Sequence, residues 1–142
     1  MLIEEAVYTI FKGNEGISGM IGNRIYPVTM PQLEKGKTFY PALVFNLDSR
    51  ERQQSHDGPT GLVKSHIQAV PLGPKYFEVK QLADKVRLAL DGKRVELQAI
   101  YGEHVRGIML ESESDDYVFD EIEELGLYNI PMLFSIQHKE ET

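Results

Sequence analysis

The sequence predicts an α+β fold: a mainly antiparallel sheet with two main helices packed on one face, plus a short N-terminal helical turn. Two segments carry apolar residues at helical spacing, and several others alternate apolar and polar residues with a period of two. The last alternating segment has one apolar and one wetter face, the signature of an antiparallel sheet covered on one side.

Leu2–Lys12 reads as a helix because Ile3, Ala6, Val7, Ile10 and Phe11 share a face. Glu4 and Glu5 suit the positive end of its dipole and Lys12 the negative end. Gly13 can take the left-handed conformation that stops it. A helical turn with Ile17, Met20 and Ile21 follows, ended by Gly22-Asn23, and Arg24–Pro27 is a short extended piece. Residues 27–41 form a loop broken by Pro27, Pro31, Gly36 and Pro41. Ala42–Ser49 is a strand in which Leu43, Phe45 and Leu47 alternate with Val44, Asn46 and Asp48. Arg50–Thr60 is polar and reads as a long loop closing on the turn signal Asp57-Gly58-Pro59. Gly61–Val70 is the antiparallel partner strand, with Val63, Ile67 and Ala69 on one face and Lys64, His66 and Gln68 on the other.

Pro71–Pro74 breaks that strand. Lys75–Asp91 is the clearest helix, with the stripe Val79, Leu82, Ala83, Val86, Ala89 and Leu90, a solvent-side Lys80–Asp84 pair, and Gly92 as its stop. The stripe is read as core, since most amphipathic helices cover a sheet. Val95 and Leu97 suggest a short strand, and Ile108–Ser112 another. Tyr128–His138 is the final strand, with Tyr128, Ile130, Met132, Phe134 and Ile136 on one face and Asn129, Ser135 and Gln137 on the other. Pro131 cannot donate to a ladder, so that strand starts at an edge or holds a bulge.

The 142 residues fit one domain, 1–142, and 42% hydrophobic with 26% charged residues argues against disorder. Without cysteine there are no disulfides, thiolate metal sites or cysteine nucleophiles. No apolar run is long enough to span a bilayer, and the acidic start Met1–Glu5 lacks the basic region of a secretion signal, so a soluble protein made in a cytoplasm is expected. The net charge is −7, and Glu111–Glu124 holds eight acids and no Lys or Arg. Removing those eight charges leaves the rest of the chain one unit positive. The plain reading of this segment is a solvated loop; the sharper one is an electrostatic docking surface. Phosphates would be repelled by it, so no direct nucleic-acid binding is expected there.

Chemistry-bearing patterns fail one by one. His56, His66, His104 and His138 have no metal-ligand spacing and are read as surface histidines. No serine sits in a nucleophile-elbow context, and no glycine pattern cradles a phosphate. Glu111, Glu113 and Asp115 resemble the start of a calcium loop, but Asp116 stands where glycine is needed and Ile122 where the bidentate acid should be. Arg50 and Arg52, with Gln53 and Gln54, could touch phosphates, yet no aromatic residue lies nearby for base stacking. No cofactor and no enzymatic activity are expected.

Several phrases in order carry a resemblance. They are the helix Ile3–Phe11, Gly22-Asn23-Arg24-Ile25-Tyr26-Pro27, Pro31-Gln32, Tyr40-Pro41-Ala42-Leu43-Val44-Phe45, the strand Gly61–Val70, Leu82-Ala83-Asp84-Lys85-Val86 and the closing strand. Together they resemble the tail completion proteins of long-tailed phages and prophages, also described as tail terminators or head-to-tail joining proteins. The acidic stretch before the last strand departs from that pattern. The resemblance implies a structural protein that caps the head-proximal end of the tail tube, stops its polymerisation and offers a surface to the head. It implies a ring of identical subunits, typically a hexamer, with the tail tube protein and the head connector or stopper as partners, no membrane and no cofactor. It also implies location in the host cytoplasm during assembly and then in the virion, at the head-proximal end of the tail. The alternatives are a head-side stopper or connector, a small enzyme using His56, Asp57 or His104, and a regulatory or nucleic-acid-binding domain. The residues expected to meet partners are Arg50, Arg52, Gln53, His56 and Asp57 in the first polar stretch, and Asp115, Asp116, Asp120 and Glu121 in the acidic one.

Overall fold

The apolar stripes of the sequence become a helical layer on one face of a seven-stranded sheet. The computed structural model describes residues 1–28, 40–55, 58–121 and 124–140. The elements in chain order are α1 (Ile3–Gly13), α2 (Glu15–Ile21), β1 (Ile25–Pro27), β2 (Ala42–Ser55), β3 (Gly58–Gly73), α3 (Tyr76–Leu90), α4 (Arg94–Tyr101), β4 (Val105–Glu113), β5 (Asp116–Asp120), β6 (Leu125–Asn129) and β7 (Met132–Lys139). Apart from the parallel β1–β2 pair, the sheet is antiparallel.

The α3 stripe is buried residue for residue as its spacing predicts: Val79, Leu82, Ala83, Val86, Ala89 and Leu90. α1 buries Ile3, Ala6, Val7 and Phe11. These meet Leu43 and Phe45 of β2, Ile67 and Ala69 of β3, and Met132, Phe134 and Ile136 of β7 in one core. The break after α1 is made by Asn14 and not by a left-handed Gly13. Asn14 is extended, and its Oδ1 accepts the Ile17 N–H at 3.0 Å, capping α2. Gly22 and Gly92 do take positive φ after their helices. The loop expected over 27–41 lies mostly outside the described residues, as does the Pro31-Gln32 phrase.

Two long hairpins build the sheet. β2 and β3 pair from Ala42↔Leu72 to Ser55↔Gly58, so Arg50–Ser55 is strand and not the expected loop. The expected break at Pro71 also fails, since β3 runs on to Gly73. The second hairpin is β4–β5 against β6–β7. β6 and β7 keep one register along β3 on both sides of Ile130-Pro131, and the Ile130 N–H still reaches the Pro71 carbonyl at 3.1 Å. The expected strand Tyr128–His138 is therefore one line with a ladder gap at its proline. β5 pairs β6 from Asp116↔Asn129 to Asp120↔Leu125, so half of the acidic segment is strand as well.

Both hairpin arms read as loops because neither alternates apolar with polar residues. A strand with two wet faces has no apolar alternation to announce it. The strand suggested at Val95 and Leu97 is the helix α4 instead. Val95 is exposed, while Leu97 is buried with Ile100 and Tyr101 packed beside the core, a spacing of three and four.

Candidate functional site

β-Bulges decide where several polar residues point. The register of β2 shifts between Leu47 and Ser49, so Arg50 comes to lie opposite Ser65 on the helix-covered side. There its Nη2 meets Glu4 Oε1 of α1 at 2.5 Å, and its Nε donates to Ser65 Oγ at 2.9 Å. Ser65 Oγ lies 2.8 Å from His138 Nε2, and His138 Nδ1 lies 3.1 Å from the Lys139 carbonyl. A carbonyl only accepts, so Nδ1 carries the proton and Nε2 accepts from the serine hydroxyl. Burial holds the His138 imidazole below its ordinary pKa, and Arg50 pushes the same way against the raising effect of the Lys139 carbonyl.

This pair has the separation of a nucleophile and its base, but the geometry seals it. Ser65 is 0% exposed and His138 3%. The serine oxygen already accepts from Arg50, and Tyr101 packs edge-on against the imidazole at 5.3 Å. What the arrangement does is tie α1, β2, β3 and β7 together. The reading of all histidines as surface groups fails here: His138 continues the inward row Met132, Phe134, Ile136, and His66 is also buried. His104 is exposed, 3.9 Å from Glu103. His56 and Asp57 lie outside the described residues.

His66 sits on the sheet face opposite the helices. Glu111, at a register shift in β4, approaches it at 3.5 Å and Lys64 at 3.5 Å. Its carboxyl lies below the usual range chiefly through a hydrogen bond with Ser135, helped by Lys64 and His66. Among the described residues no group of three or more His, Asp or Glu is arranged to hold a metal, and no helix is long and apolar enough to cross a membrane.

The expected interaction residues fall at two ends of the sheet. Arg50 is committed to the inner network. Arg52 makes a double hydrogen bond to Glu140, at 2.8 and 3.2 Å. Gln53 stands at the second register shift of β2, exposed. Asp115 is held at the far end by the Tyr76 hydroxyl at 2.6 Å and by Lys80 at 2.7 Å. Lys80 therefore pairs across to the acidic segment and not with Asp84, which faces Arg87 at 3.9 Å. Both contacts hold the Asp115 carboxyl below its ordinary pKa, Lys80 first. Asp116 and Asp120 bound β5, and Glu121 follows in the turn.

Sequence reasoning missed the brace behind this acidic arm. Tyr117 lies over Gly126, whose missing side chain leaves it room, and packs at a tilt against Tyr128, with ring centroids 5.0 Å apart. Tyr128 in turn meets Tyr76 of α3 at 5.4 Å. The aromatic residues are visible in the sequence, but their meeting depends on β5, which lies within a segment whose composition reads as loop. Asp115→Asn is expected to loosen the arm with little effect on global stability, because exposed pairs contribute little to it. Hydrogen exchange should speed up at the β5–β6 amides with the melting temperature nearly unchanged. Unchanged protection there would count against the brace.

No protein-family model matches the chain, and no curated protein matches it. Among solved structures, a chain of "Virion of native gene transfer agent (GTA) particle" superposes with a TM-score of 0.60 at 14% identity, covering 96% of this chain and 93% of that one. The fold is one used in a virion particle.

Proposed function

We propose that this chain is a structural subunit of a tailed phage or prophage particle. In this reading it is a tail completion, or tail terminator, protein acting as one 1–142 domain. It caps the head-proximal end of the tail tube, stops tube growth and presents the surface that joins the head. The observation that carries the reading is the near full-length fold likeness to a virion chain. It is supported by the two braced arms and by the sealing of the one nucleophile-like pair found among the described residues, which fit a role in binding and not in catalysis.

Subunits arranged as a ring, six in the family this sequence resembles, meet through unlike patches, one on each side of the subunit. The partners are then further copies, the tail tube protein and the head connector. The protein acts in the host cytoplasm during assembly and then in the virion. Negative-stain microscopy of purified protein with isolated tail tubes should show rings, or caps at one tube end only. Bare tube ends at saturating protein would overturn the reading. The fold likeness favours a head-side stopper equally, and binding to isolated connectors but not to tubes would select that role.

A further inference from the structure

The two charged regions of this chain stand at opposite ends of one sheet. At one end, β5 is an edge strand, paired with β6 alone among the described residues. Tyr117, Val118 and Phe119 are 54, 53 and 55% exposed on it, so consecutive apolar residues face water on both sides of the strand. Glu113, Asp116, Glu121 and Glu124 surround them and have no cationic partner among the described residues. At the other end, a groove runs between the β2–β3 arm and the start of β4. It is lined by Arg52, Lys64, Arg106 and Lys139 around Leu62, together with the acid Glu51. Arg52 and Lys64 are tied to Glu140 and Glu111, while Arg106 and Lys139 have no ion partner among the described residues. Leu125 and His138 mark the two ends on the β6–β7 line, and thirteen residues of strand at about 3.3 Å each set them roughly 40 Å apart.

We propose that the acidic β5–β6 arm of one copy docks in the Arg106–Lys139 groove of the next. This deepens the ring reading given above and rests on it for closure. The occupant is a second copy because the same molecule carries both complementary surfaces, too far apart to meet each other. Arm-to-arm pairing would set Asp116 and Glu121 against their own copies, and like charges in contact are costly, so the acids direct the apolar edge away from itself and toward cations. The contact is head-to-tail and leaves one arm and one groove free on every open assembly.

A charge swap tests this. D116K/E121K reverses the arm, and R106E/K139E reverses the groove; both should melt like the wild type. In sedimentation at low salt the wild type should self-associate, and each variant should be weakened at least about tenfold. An equimolar mixture of the two should recover, since every contact then joins unlike charges, and added salt should weaken all three. A second readout changes no acid and exploits the absence of cysteine. Val118→Cys combined with Arg106→Cys should oxidise into a ladder of multimers, whereas either single variant stops at dimers. A wild type that stays monomeric, variants that associate as well as the wild type, or a mixture without recovery would overturn the docking. Tube caps formed equally by wild type and both variants would sink this contact and leave the tail reading standing. Self-association with recovery but no tube binding would do the reverse.

Discussion

Phe134→Ala is expected to lower folding stability by about 3–5 kcal/mol, the range for emptying a buried aromatic site. For a chain of this length that is a drop in melting temperature of roughly 10–17 °C. Phe134 is 0% exposed and lies at the centre of the sheet, opposite Ile67 of β3 and Leu110 of β4. Helices cover it from one side and paired strands flank it, so its neighbours cannot collapse into the space without breaking ladders. The comparison that makes the measurement specific is Met109→Ala. Met109 is on β4, beside Ser135 on the uncovered face, and mostly exposed. That substitution should stay within about 0.5 kcal/mol. Urea unfolding of both variants decides the matter. If Phe134→Ala costs less than about 1 kcal/mol, or Met109→Ala costs as much, the assignment of covered and uncovered faces is inverted.

Periodicity revealed the elements that lie against the core. The α3 stripe, the α1 face and the inward row Met132, Phe134, Ile136 are all apolar at a fixed spacing, because each is half covered. That signal stops where cover stops. Arg50–Ser55 and Asp116–Asp120 are strands without apolar alternation: the first is polar at every position and the second sets Tyr117, Val118 and Phe119 in succession, so both look like loops. Bulges hid a second set of facts. A single shift near Asp48 turns Arg50 inward, and nothing in the local composition announces it. The same limit applies to the interaction surfaces. The acidic run was legible as a charge block, since charge is read by counting. Its cationic counterpart was not, because Arg52, Lys64, Arg106 and Lys139 come from four strands that only the fold brings together.

His138→Ala is expected to cost about 2–4 kcal/mol near neutral pH, because it opens a buried space and leaves the Ser65 hydroxyl without its acceptor. The Lys139 carbonyl keeps the Tyr101 hydroxyl at 2.7 Å, so one polar group is orphaned and not two. The cost should depend on pH, in a direction fixed by the lowered pKa of the imidazole. Above the ordinary value of 6.5 the ring is neutral in both folded and unfolded chains, and its stabilising effect is complete. As pH falls through 6.5 the unfolded ring takes up a proton that the buried ring refuses, so stability declines, by at most about 1.4 kcal/mol per pH unit for one group. The decline ends once pH passes below the folded value.

The carboxylates with lowered pKa, Glu111, Asp115 and Glu140, act in a separate window. Their contribution is present above their unfolded values, about 4, and is lost as pH falls beneath them. Measured between about pH 7 and pH 5, the gap in stability between wild type and His138→Ala should therefore narrow. A gap of constant width would mean that the imidazole is open to water and titrates alike in both states, and a gap that widens would mean that it is protonated in the fold. In either case the Ser65–His138 pair would no longer be sealed, and the main physical objection to a catalytic role at this position would fall with it.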